Sequence, residues 1–409
     1  MKKINIKRLI FVIIISTLLL IFLFVSIRYI VNKYRIAHAT IKVVLIDDLT
    51  VDVYQEVDTN YFIRSINGKV LNNKKIDTTE LGEKVIEFTY LNNENIKIPY
   101  QYKIIVKDKT PPLITKYKKI YAEVGEENFP KDIFCGDNYD DKPKCYVEGD
   151  YDINIPGSYD ITFIGKDSSD NISSNNMTLI VREKKSSNTS NTSSSKVNKK
   201  NGTNYQDIIT NYKKDNTKIG IDVSKWQGNI NFKKVKNSGV EFVFLRVGYQ
   251  SNINGEYILD KYFKKNIEGF NKVNIPVGVY FFSKANSNEE AIKQAKWVHK
   301  QIKKYQIDLP VVFDWENWNN YQEYNLSFHS LTEISNTFQN TIEKYGYKTM
   351  LYGSKNYLEN IYYENKKDVW LAHYTDMTNY QGKYKVWQLC ENGVIDGINT
   401  YVDIDIMYE

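Results

Sequence analysis

From residue 218 onward, short apolar segments alternate with helical stretches, and this alternation limits the fold of the C-terminal half more than any other feature. It is typical of a parallel α/β sheet, in which helices cross between strands. Amphipathic helices are predicted at 258–273, 288–305 and 330–345, but the gaps after the sixth and seventh strands are too short for one. The predicted strands are 219–223, 242–247, 276–282, 310–313, 348–352, 369–372, 385–389 and 402–407. Residues 218–409 are therefore predicted to form an α/β TIM-like barrel with eight strands and a reduced helix ring.

The fourth predicted strand runs into two carboxylates, Asp314 and Glu316. Side chains alternate along a strand, so both lie on one face, with their Cα atoms about 6.6 Å apart. Two carboxylates this close repel each other and raise one pKa, which leaves an acid beside a base at neutral pH. Cleavage of a glycosidic bond needs such a pair. The same tripeptide also fits a solvated strand end, so its context has to separate the two interpretations.

Other predicted strand ends carry ionisable side chains as well. Asp222 lies at the end of the first strand, His373 follows the sixth, and Asp403 and Asp405 lie on the eighth. In TIM-like barrels the carboxyl ends of the strands meet at one rim, where active sites lie. Carboxylates gathered there repel each other, which favours a functional site over a purely structural rim.

Seven segments of this region carry motifs in a fixed order. They are GIDVSKWQG (220–228), FLRVGY (244–249), PVGVYFFS (276–283), PVVFDWE (310–316), WLAHY (370–374), WQ (387–388) and VDID (402–405). Together they resemble the successive motifs of glycoside hydrolase family 25, the lysozyme family that cleaves bacterial peptidoglycan. The resemblance covers nearly all of residues 218–409 and implies a β-1,4-N-acetylmuramidase that acts on peptidoglycan glycan strands.

The resemblance also implies roles for single residues. Glu316 would be the general acid, Asp314 its partner carboxylate, and Asp222 and Asp403 supporting carboxylates at the floor of the site. Asp403 rather than Asp405 is taken as the inward residue on the strength of the motif. The chain departs from the family at Phe281, where many members have His, and at Asp405, where Asn is frequent.

Aromatic residues near the predicted strand ends are candidates for packing against sugar rings, although each also fits a core or rim position. They are Tyr249, Tyr280, Trp370, Tyr374 and Trp387. No spacing of His, Cys and carboxylates predicts a metal site, and no cofactor is expected. Cys390 with His373 is a poor nucleophile pair.

The N-terminus combines a basic start, residues 1–8, with an uncharged apolar run over 9–27. Nineteen such residues are long enough to span a bilayer. The run ends without a small-x-small cleavage site, which favours a retained transmembrane anchor over 9–31 rather than a signal peptide. Basic residues flank both sides and slightly favour a cytoplasmic start. The prediction is a single-pass protein of the cell membrane with its catalytic domain outside.

Residues 39–182 show short alternating strands and an internal repeat. Residues 76–88 match 151–163, with Gly82 and Gly157 offset by 75 positions. The DKTPP joint at 108–112 and the strand after Gly157 resemble the immunoglobulin-like repeats of bacterial surface proteins. Two all-β immunoglobulin-like sandwiches are predicted, 39–109 and 110–182, as spacers or as carbohydrate- or partner-binding modules. Cys135 and Cys145 flank a turn-rich loop and form either a disulfide or two free thiols.

Residues 183–217 are rich in Ser, Asn and Lys, and a flexible linker is predicted there. The net charge of +6, from 55 basic and 49 acidic residues, is spread along the chain and predicts no nucleic-acid partner. Two other functions stay open at this point. One is a non-catalytic surface protein that binds cell-wall glycan, and the other is an enzyme for a different wall bond, such as an amidase.

Overall fold

The computed structural model describes residues 6–127, 129, 133–183, 202–362, 365 and 367–409. The chain divides into two compact units at Thr110 and Pro111, beside the predicted boundary between the two β modules. The first unit contains one long helix and a small β module. Its elements are α1 (Ile6–Ala37), β1 (Val43–Leu45), β2 (Thr50–Asp52), β3 (Ile63–Ile66), β4 (Gly68–Val70), β5 (Gly82–Asn92) and β6 (Lys97–Lys107).

The second unit begins with another small β module, residues 111–182, which we call module 2. Its strands are β7 (Leu113–Ile114), β8 (Lys119–Glu123), β9 (Cys135–Gly136), β10 (Lys144–Glu148), β11 (Gly157–Lys166) and β12 (Ile172–Arg182). Its four-stranded sheet has the order β8-β12-β11-β10, and the sheet of the first module has the order β2-β6-β5-β4. Each module adds a two-stranded sheet, β1-β3 or β7-β9.

The internal repeat of the sequence corresponds to one hairpin built twice. Gly82 pairs with Val106 in the β5–β6 hairpin, and Gly157 pairs with Val181 in the β11–β12 hairpin. In each module the last strand also pairs in parallel with an early one, β2 with β6 and β8 with β12. The same apolar alternation therefore produces the same register and strand order in both modules.

Cys135 and Cys145 form a disulfide, which decides between the two alternatives left open by the sequence. The bond joins β9 to β10 within module 2.

The third part of the chain is the barrel. Its elements are β13 (Thr203–Asn204), α2 (Tyr205–Tyr212), β14 (Thr217–Val223), α3 (Phe232–Asn237), β15 (Phe242–Gln250), β16 (Tyr257–Leu259), α4 (Phe263–Lys272), β17 (Val277–Phe282), α5 (Asn288–Ile302), β18 (Val311–Asp314), α6 (Phe328–Glu343), β19 (Thr349–Ser354), α7 (Lys355–Asn360), β20 (Val369–Ala372), β21 (Val386–Val394) and β22 (Val402–Tyr408). Short 3-10 helices span Lys225–Gln227 and Trp318–Tyr324.

Eight of these strands close into a barrel, and all eight overlap the predicted ones. Parallel pairing runs through β14, β15, β17, β18, β19, β20 and β21. Strand β22 is antiparallel to both β21 and β14 and completes the ring. No helix lies between β20 and β21 or between β21 and β22 in this described part of the chain, as the short gaps predicted.

Two predicted boundaries are wrong. Residues 258–259, predicted as helix, belong to β16, which pairs with β15, and α4 begins only at Phe263. The linker predicted over 183–217 does not extend past residue 202, because β13 pairs with β21 and Tyr205 is buried, with its hydroxyl bonded to the Ile219 carbonyl. The rest of that linker, 184–201, lies outside the described residues.

Side-chain alternation divides the barrel core into two layers. One fills the lumen and is formed by Phe242, Phe244, Val312, Met350, Tyr352, Trp370, Ala372 and Val386. The other lies between strands and helices and includes Val243, Leu245 and Phe313. Because the lumen is packed with side chains, a substrate can reach the barrel only at its rim.

Candidate active site

Asp314 and Glu316 lie where β18 leaves the barrel wall. Asp314 is the last residue of the strand, and its carboxyl group is hydrogen-bonded to that of Glu316. Trp315 between them points into the outer core, where its Nε1 donates to the Ala285 carbonyl at 3.1 Å. The alternation expected from the sequence therefore brings the two carboxyl groups into direct contact.

The two acids differ in their access to solvent. Asp314 is only 4% exposed, whereas the Glu316 side chain is exposed at the mouth of the barrel. Protein groups nevertheless crowd Glu316, and this burial raises its pKa. Glu316 is therefore the member of the pair that can touch a bound molecule, with Asp314 behind it.

A hydrogen-bonded chain holds Asp222 at the floor of the site. Gln388 donates from Nε2 to Asp222 Oδ2 at 2.8 Å. The hydroxyls of Tyr352 and Tyr374 donate to Gln388 Oε1 at 2.9 and 3.1 Å. The Tyr280 hydroxyl is also hydrogen-bonded to Asp222. These bonds connect strands β14, β17, β19 and β21 across the lumen, which orients the carboxylate.

One buried ion pair lies beside the acids, and only one of its members, Arg246 in the FLRVGY motif, belongs to a segment that the sequence analysis singled out. The guanidinium of Arg246 donates from Nε to Asp260 Oδ2 at 2.9 Å, and both side chains are largely buried. Asp260 also accepts from the backbone N–H of Lys225. The positive charge of Arg246 acts to lower the pKa values of Asp222 and Asp314. Asp260 was not predicted as a site residue, because residues 258–273 were predicted to form one continuous helix. The signal that could have identified it is that a buried Arg on β15 needs an acidic partner.

The pKa values of Asp314 and Glu316 are both raised, chiefly by burial. For Asp314 the next cause is the negative charge of Glu316, followed by the hydrogen bond between them. The hydrogen bond raises the pKa of Asp314 and lowers the pKa of Glu316. The charge and the hydrogen bond add to burial at Asp314, whereas the hydrogen bond opposes burial at Glu316, so a proton shared by the pair favours Asp314 in the substrate-free site.

The eighth strand brings two carboxyl groups into the barrel. Met407 packs with the lumen side chains, whereas Ile404 and Ile406 lie in the outer core, so Asp403 and Asp405 both face inward. Asp403 pairs directly opposite Asp222, and Asp405 lies one layer deeper, where it accepts a hydrogen bond from Trp370 Nε1 at 2.9 Å. The sequence-based choice between them is thus wrong in excluding Asp405.

Burial raises the pKa values of these inner carboxyls, and their mutual repulsion raises them further. The pKa of Asp222 is raised to about 7 by burial and by the charge of Glu316. The pKa of Asp403 is raised to about 9 by burial and by the charge of Asp222. Burial raises the pKa of Asp405 well above its ordinary value. The site therefore contains carboxyl groups that stay partly protonated at neutral pH.

This arrangement predicts a stability that depends on pH. Folded Asp403 keeps its proton up to about pH 9, whereas the unfolded chain loses it near pH 3.8, so the stability of the barrel falls as pH rises through that window. Because Asn has no proton to lose, we expect the Asp403→Asn variant to lose less stability than wild type as pH rises. Its melting temperature should match wild type at pH 4 and exceed it at pH 8 by about 3 °C or more. Thermal unfolding followed by circular dichroism at both pH values measures this.

Asp396→Asn is the matched control, because Asp396 is exposed and forms an ion pair with Lys234 at the surface. It should track wild type at both pH values. An Asp403→Asn variant that melts with wild type at pH 8 would contradict a raised pKa at this position.

The five aromatic residues that were predicted to pack against sugar rings differ in their exposure to solvent. Tyr374 is 51% exposed at the rim, and Tyr280 is half-buried beside the acids. Tyr249 is half-buried next to the cations of Lys225 and Arg246. Trp370 is only 2% exposed and forms part of the lumen floor. Trp387 lies in the outer core, where its Nε1 donates to the His373 carbonyl. The structure therefore excludes Trp370 and Trp387 as platforms for a sugar ring, because neither presents a ring to solvent.

Trp226 is a candidate that sequence reasoning missed. It follows β14 in the short 3-10 helix and is 69% exposed. The Lys225 ammonium lies 4.8 Å from its ring and 5.0 Å from the ring of Tyr249. The signal was present in the sequence as an aromatic residue just after a strand that ends in a site carboxylate. Phe281, by contrast, packs in the outer core, so its departure from the family pattern does not alter the site.

Comparison with known proteins gives a consistent family match. Residues 221–398 match the model of the glycosyl hydrolases family 25. The uncharacterized protein YegX of Escherichia coli (strain K12) is 30% identical over 193 residues, which cover 46% of this chain and 68% of YegX. The autolytic lysozyme of Clostridium acetobutylicum is 23% identical over 189 residues, 46% of this chain and 54% of that protein. A family 25 glycosyl hydrolase from Bacillus anthracis, 24% identical, aligns over 49% of this chain and 93% of its own with a TM-score of 0.41.

Proposed function

This chain belongs to the glycosyl hydrolases family 25, and on that basis we propose that it is a muramidase. It would cleave the β-1,4 bond between N-acetylmuramic acid and N-acetylglucosamine in peptidoglycan. The observation that carries the proposal is the hydrogen-bonded Asp314–Glu316 pair at the barrel mouth, with Asp222 on the floor below it. The name of the autolytic lysozyme of Clostridium acetobutylicum supports the same substrate class.

In the proposed mechanism Glu316 donates its proton to the oxygen of the leaving sugar. Positive charge then develops at the anomeric carbon, and the negative charges of Asp314 and Asp222 stabilise it. Glu316 takes this role because it is exposed, whereas Asp314 is buried behind it. Three tasks stay open for Asp314: orienting the substrate's N-acetyl group for attack, attacking the sugar directly, or activating a water.

The shared proton has to reach Glu316 before it can be donated. In the substrate-free site the hydrogen bond favours the proton on Asp314. A glycan lying over the mouth excludes water from Glu316, which raises the pKa of Glu316 and draws the proton across the existing hydrogen bond. Substrate binding would in this way prepare the acid for catalysis.

Mass spectrometry of the products released from purified peptidoglycan tests the proposed function. We expect muropeptides with N-acetylmuramic acid at the reducing end. Products ending in N-acetylglucosamine, or free peptides with intact glycan strands, would identify another bond and overturn the proposal. A protein that sediments with walls but releases nothing would instead be a glycan-binding surface protein.

The N-terminal part supports a tethered enzyme. Within the described residues, one helical segment, 14–37, is long and apolar enough to cross a membrane. Its mean hydropathy is 2.4 and it is not buried against the protein. A signal sequence has the same features. We propose that it is an anchor with a cytoplasmic start and that the two β modules are immunoglobulin-like spacers. Protease added to intact cells should then degrade the barrel and spare a tag fused before residue 1. Degradation of the tag with an intact barrel would reverse the proposed topology.

A further inference from the structure

Phe134 is a residue of module 2 whose side chain lies in the core of the barrel. Its neighbours Ile133 and Cys135 point into the core of their own module. The ring of Phe134 instead lies 5.2 Å from that of Tyr321 and 6.3 Å from that of Trp318, measured between centroids. It also stacks on Phe328 at 6.1 Å and contacts Tyr357 at 6.2 Å. One aromatic side chain thus joins the two parts of this unit.

The rings that receive Phe134 belong to the segment that follows Glu316. Trp318 and Tyr321 lie on the 3-10 helix, and both pack against Trp315, at 4.8 and 5.7 Å. Trp315 sits between Asp314 and Glu316 in the chain. Packing is therefore continuous from Phe134 through two rings to the residue that joins the two acids.

Hydrogen bonds hold the same segment at its far end. Gln322 donates from Nε2 to the Ile133 carbonyl at 3.0 Å, and the N–H of Phe328 donates to the Asp137 carbonyl at 2.7 Å. The N–H of Ser327, which caps α6, donates to Asp141 Oδ1 at 2.6 Å. The disulfide fixes β9 within module 2, while these bonds fix the residues on both sides of β9 to the barrel.

The segment needs this support because its own structure is weak. A 3-10 helix has poor hydrogen-bond geometry and is stable only in short pieces. The contact is also close: a Cβ added at Gly136 would lie 2.7 Å from Cε1 of Phe328 and 2.8 Å from Cε1 of Tyr321. The interface therefore has no room for even one extra methyl group, and a displacement of module 2 would pass directly to the rings behind Trp315.

We propose that module 2 positions the acid Glu316, with Phe134 as the positioning residue. This inference rests on the proposed function, because it concerns the geometry of the same acid. Module 2, predicted from its sequence to be a spacer or a carbohydrate- or partner-binding module, is on this view part of the catalytic unit. Phe134 touches neither substrate nor reacting atoms and acts only through Trp318, Tyr321 and Trp315.

The test compares full-length variants, solubilised in detergent, on purified peptidoglycan. Phe134→Ala removes the ring, and Gly136→Ala forces the interface apart without removing any side chain. We expect kcat to fall at least tenfold in both, because small misplacements of a catalytic group are costly, while KM stays within about twofold. The alkaline limb of the pH profile should also move to lower pH, because a loosened segment exposes Glu316 and lowers its raised pKa. Phe134→Leu should recover part of the activity.

Gly157→Ala is the matched control in the same module, since the nearest atoms to its added Cβ all belong to Tyr159 of its own strand. It should keep the wild-type kcat and pH profile. Wild-type kcat and pH profile in both Phe134→Ala and Gly136→Ala would overturn the inference and leave the proposed function standing. A wild-type protein that releases no reducing ends would overturn the proposed function itself.

Discussion

Replacing Glu316 by Gln will lower the release of reducing ends from purified peptidoglycan by about 10³-fold or more. The amide keeps the size of the side chain but has no proton to give to the leaving oxygen, and general acid catalysis contributes about 10²- to 10⁴-fold. The loss should be specific to catalysis, because Gln has the same shape and leaves the protein groups that crowd Glu316 in place. Sedimentation with walls should therefore be unchanged.

Glu333→Gln is a suitable control, because Glu333 is exposed on the surface of α6. It should digest walls at the wild-type rate. Undiminished activity in Glu316→Gln would remove Glu316 from the mechanism and with it the proposed division of labour between the two acids.

Replacing Asp314 by Asn will lower kcat by about 10²- to 10³-fold, comparable to the loss of one stabilising group in other active sites. Asn can still donate a hydrogen bond to Glu316, but it holds neither the shared proton nor the negative charge. The alkaline limb of the residual activity should move to higher pH, because the Asn amide is a weaker donor than the Asp314 carboxyl, whose hydrogen bond lowers the pKa of Glu316. Rates measured across pH check both expectations, with Asp396→Asn as the surface control.

A second substrate separates the open roles of Asp314. Glycan that lacks the N-acetyl group on the sugar providing the anomeric carbon cannot take the substrate-assisted route. If Asp314 orients that group, the wild-type enzyme on this glycan will be as slow as Asp314→Asn on normal glycan. Wild-type rates on it would instead favour direct attack or water activation. An Asp314→Asn variant that keeps full activity and an unshifted pH profile would contradict any role for Asp314.

The strand pattern and the carboxylates at strand ends could be predicted because both depend on residues close together in the chain. Parallel strands covered on both faces are mainly apolar, as in residues 311–313 of β18, and the acids at their ends are conspicuous. The incorrect prediction of a helix at residues 258–259 arose because contacts with a distant strand decided the structure there. Ile258 and Leu259 fit a helical pattern locally, but pairing with Tyr249 and Gly248 of β15 makes them a strand. Tertiary pairing overrode local propensity there.

The aromatic assignments could not be completed from the sequence for a similar reason. Trp370 and Trp387 both sit near predicted strand ends, yet one fills the lumen and the other the outer core. An aromatic ring near a strand end has the same local signature whether it faces solvent or packing partners. Its exposure depends on which distant side chains cover it, as Phe244 covers Trp370.

Local patterning was enough to identify eight strands, the repeated hairpin of the two β modules and the Asp314–Glu316 pair, because alternation and spacing are properties of neighbouring residues. Only the folded chain showed that Asp403 pairs opposite Asp222, that Asp405 accepts a hydrogen bond from Trp370, that Arg246 pairs with Asp260, and that Phe134 packs behind the catalytic segment. These facts depend on contacts between distant positions, such as the hydrogen bond from Gln322 to Ile133 across 189 residues. No periodicity in the sequence encodes such a contact, since it arises when separately formed elements pack together.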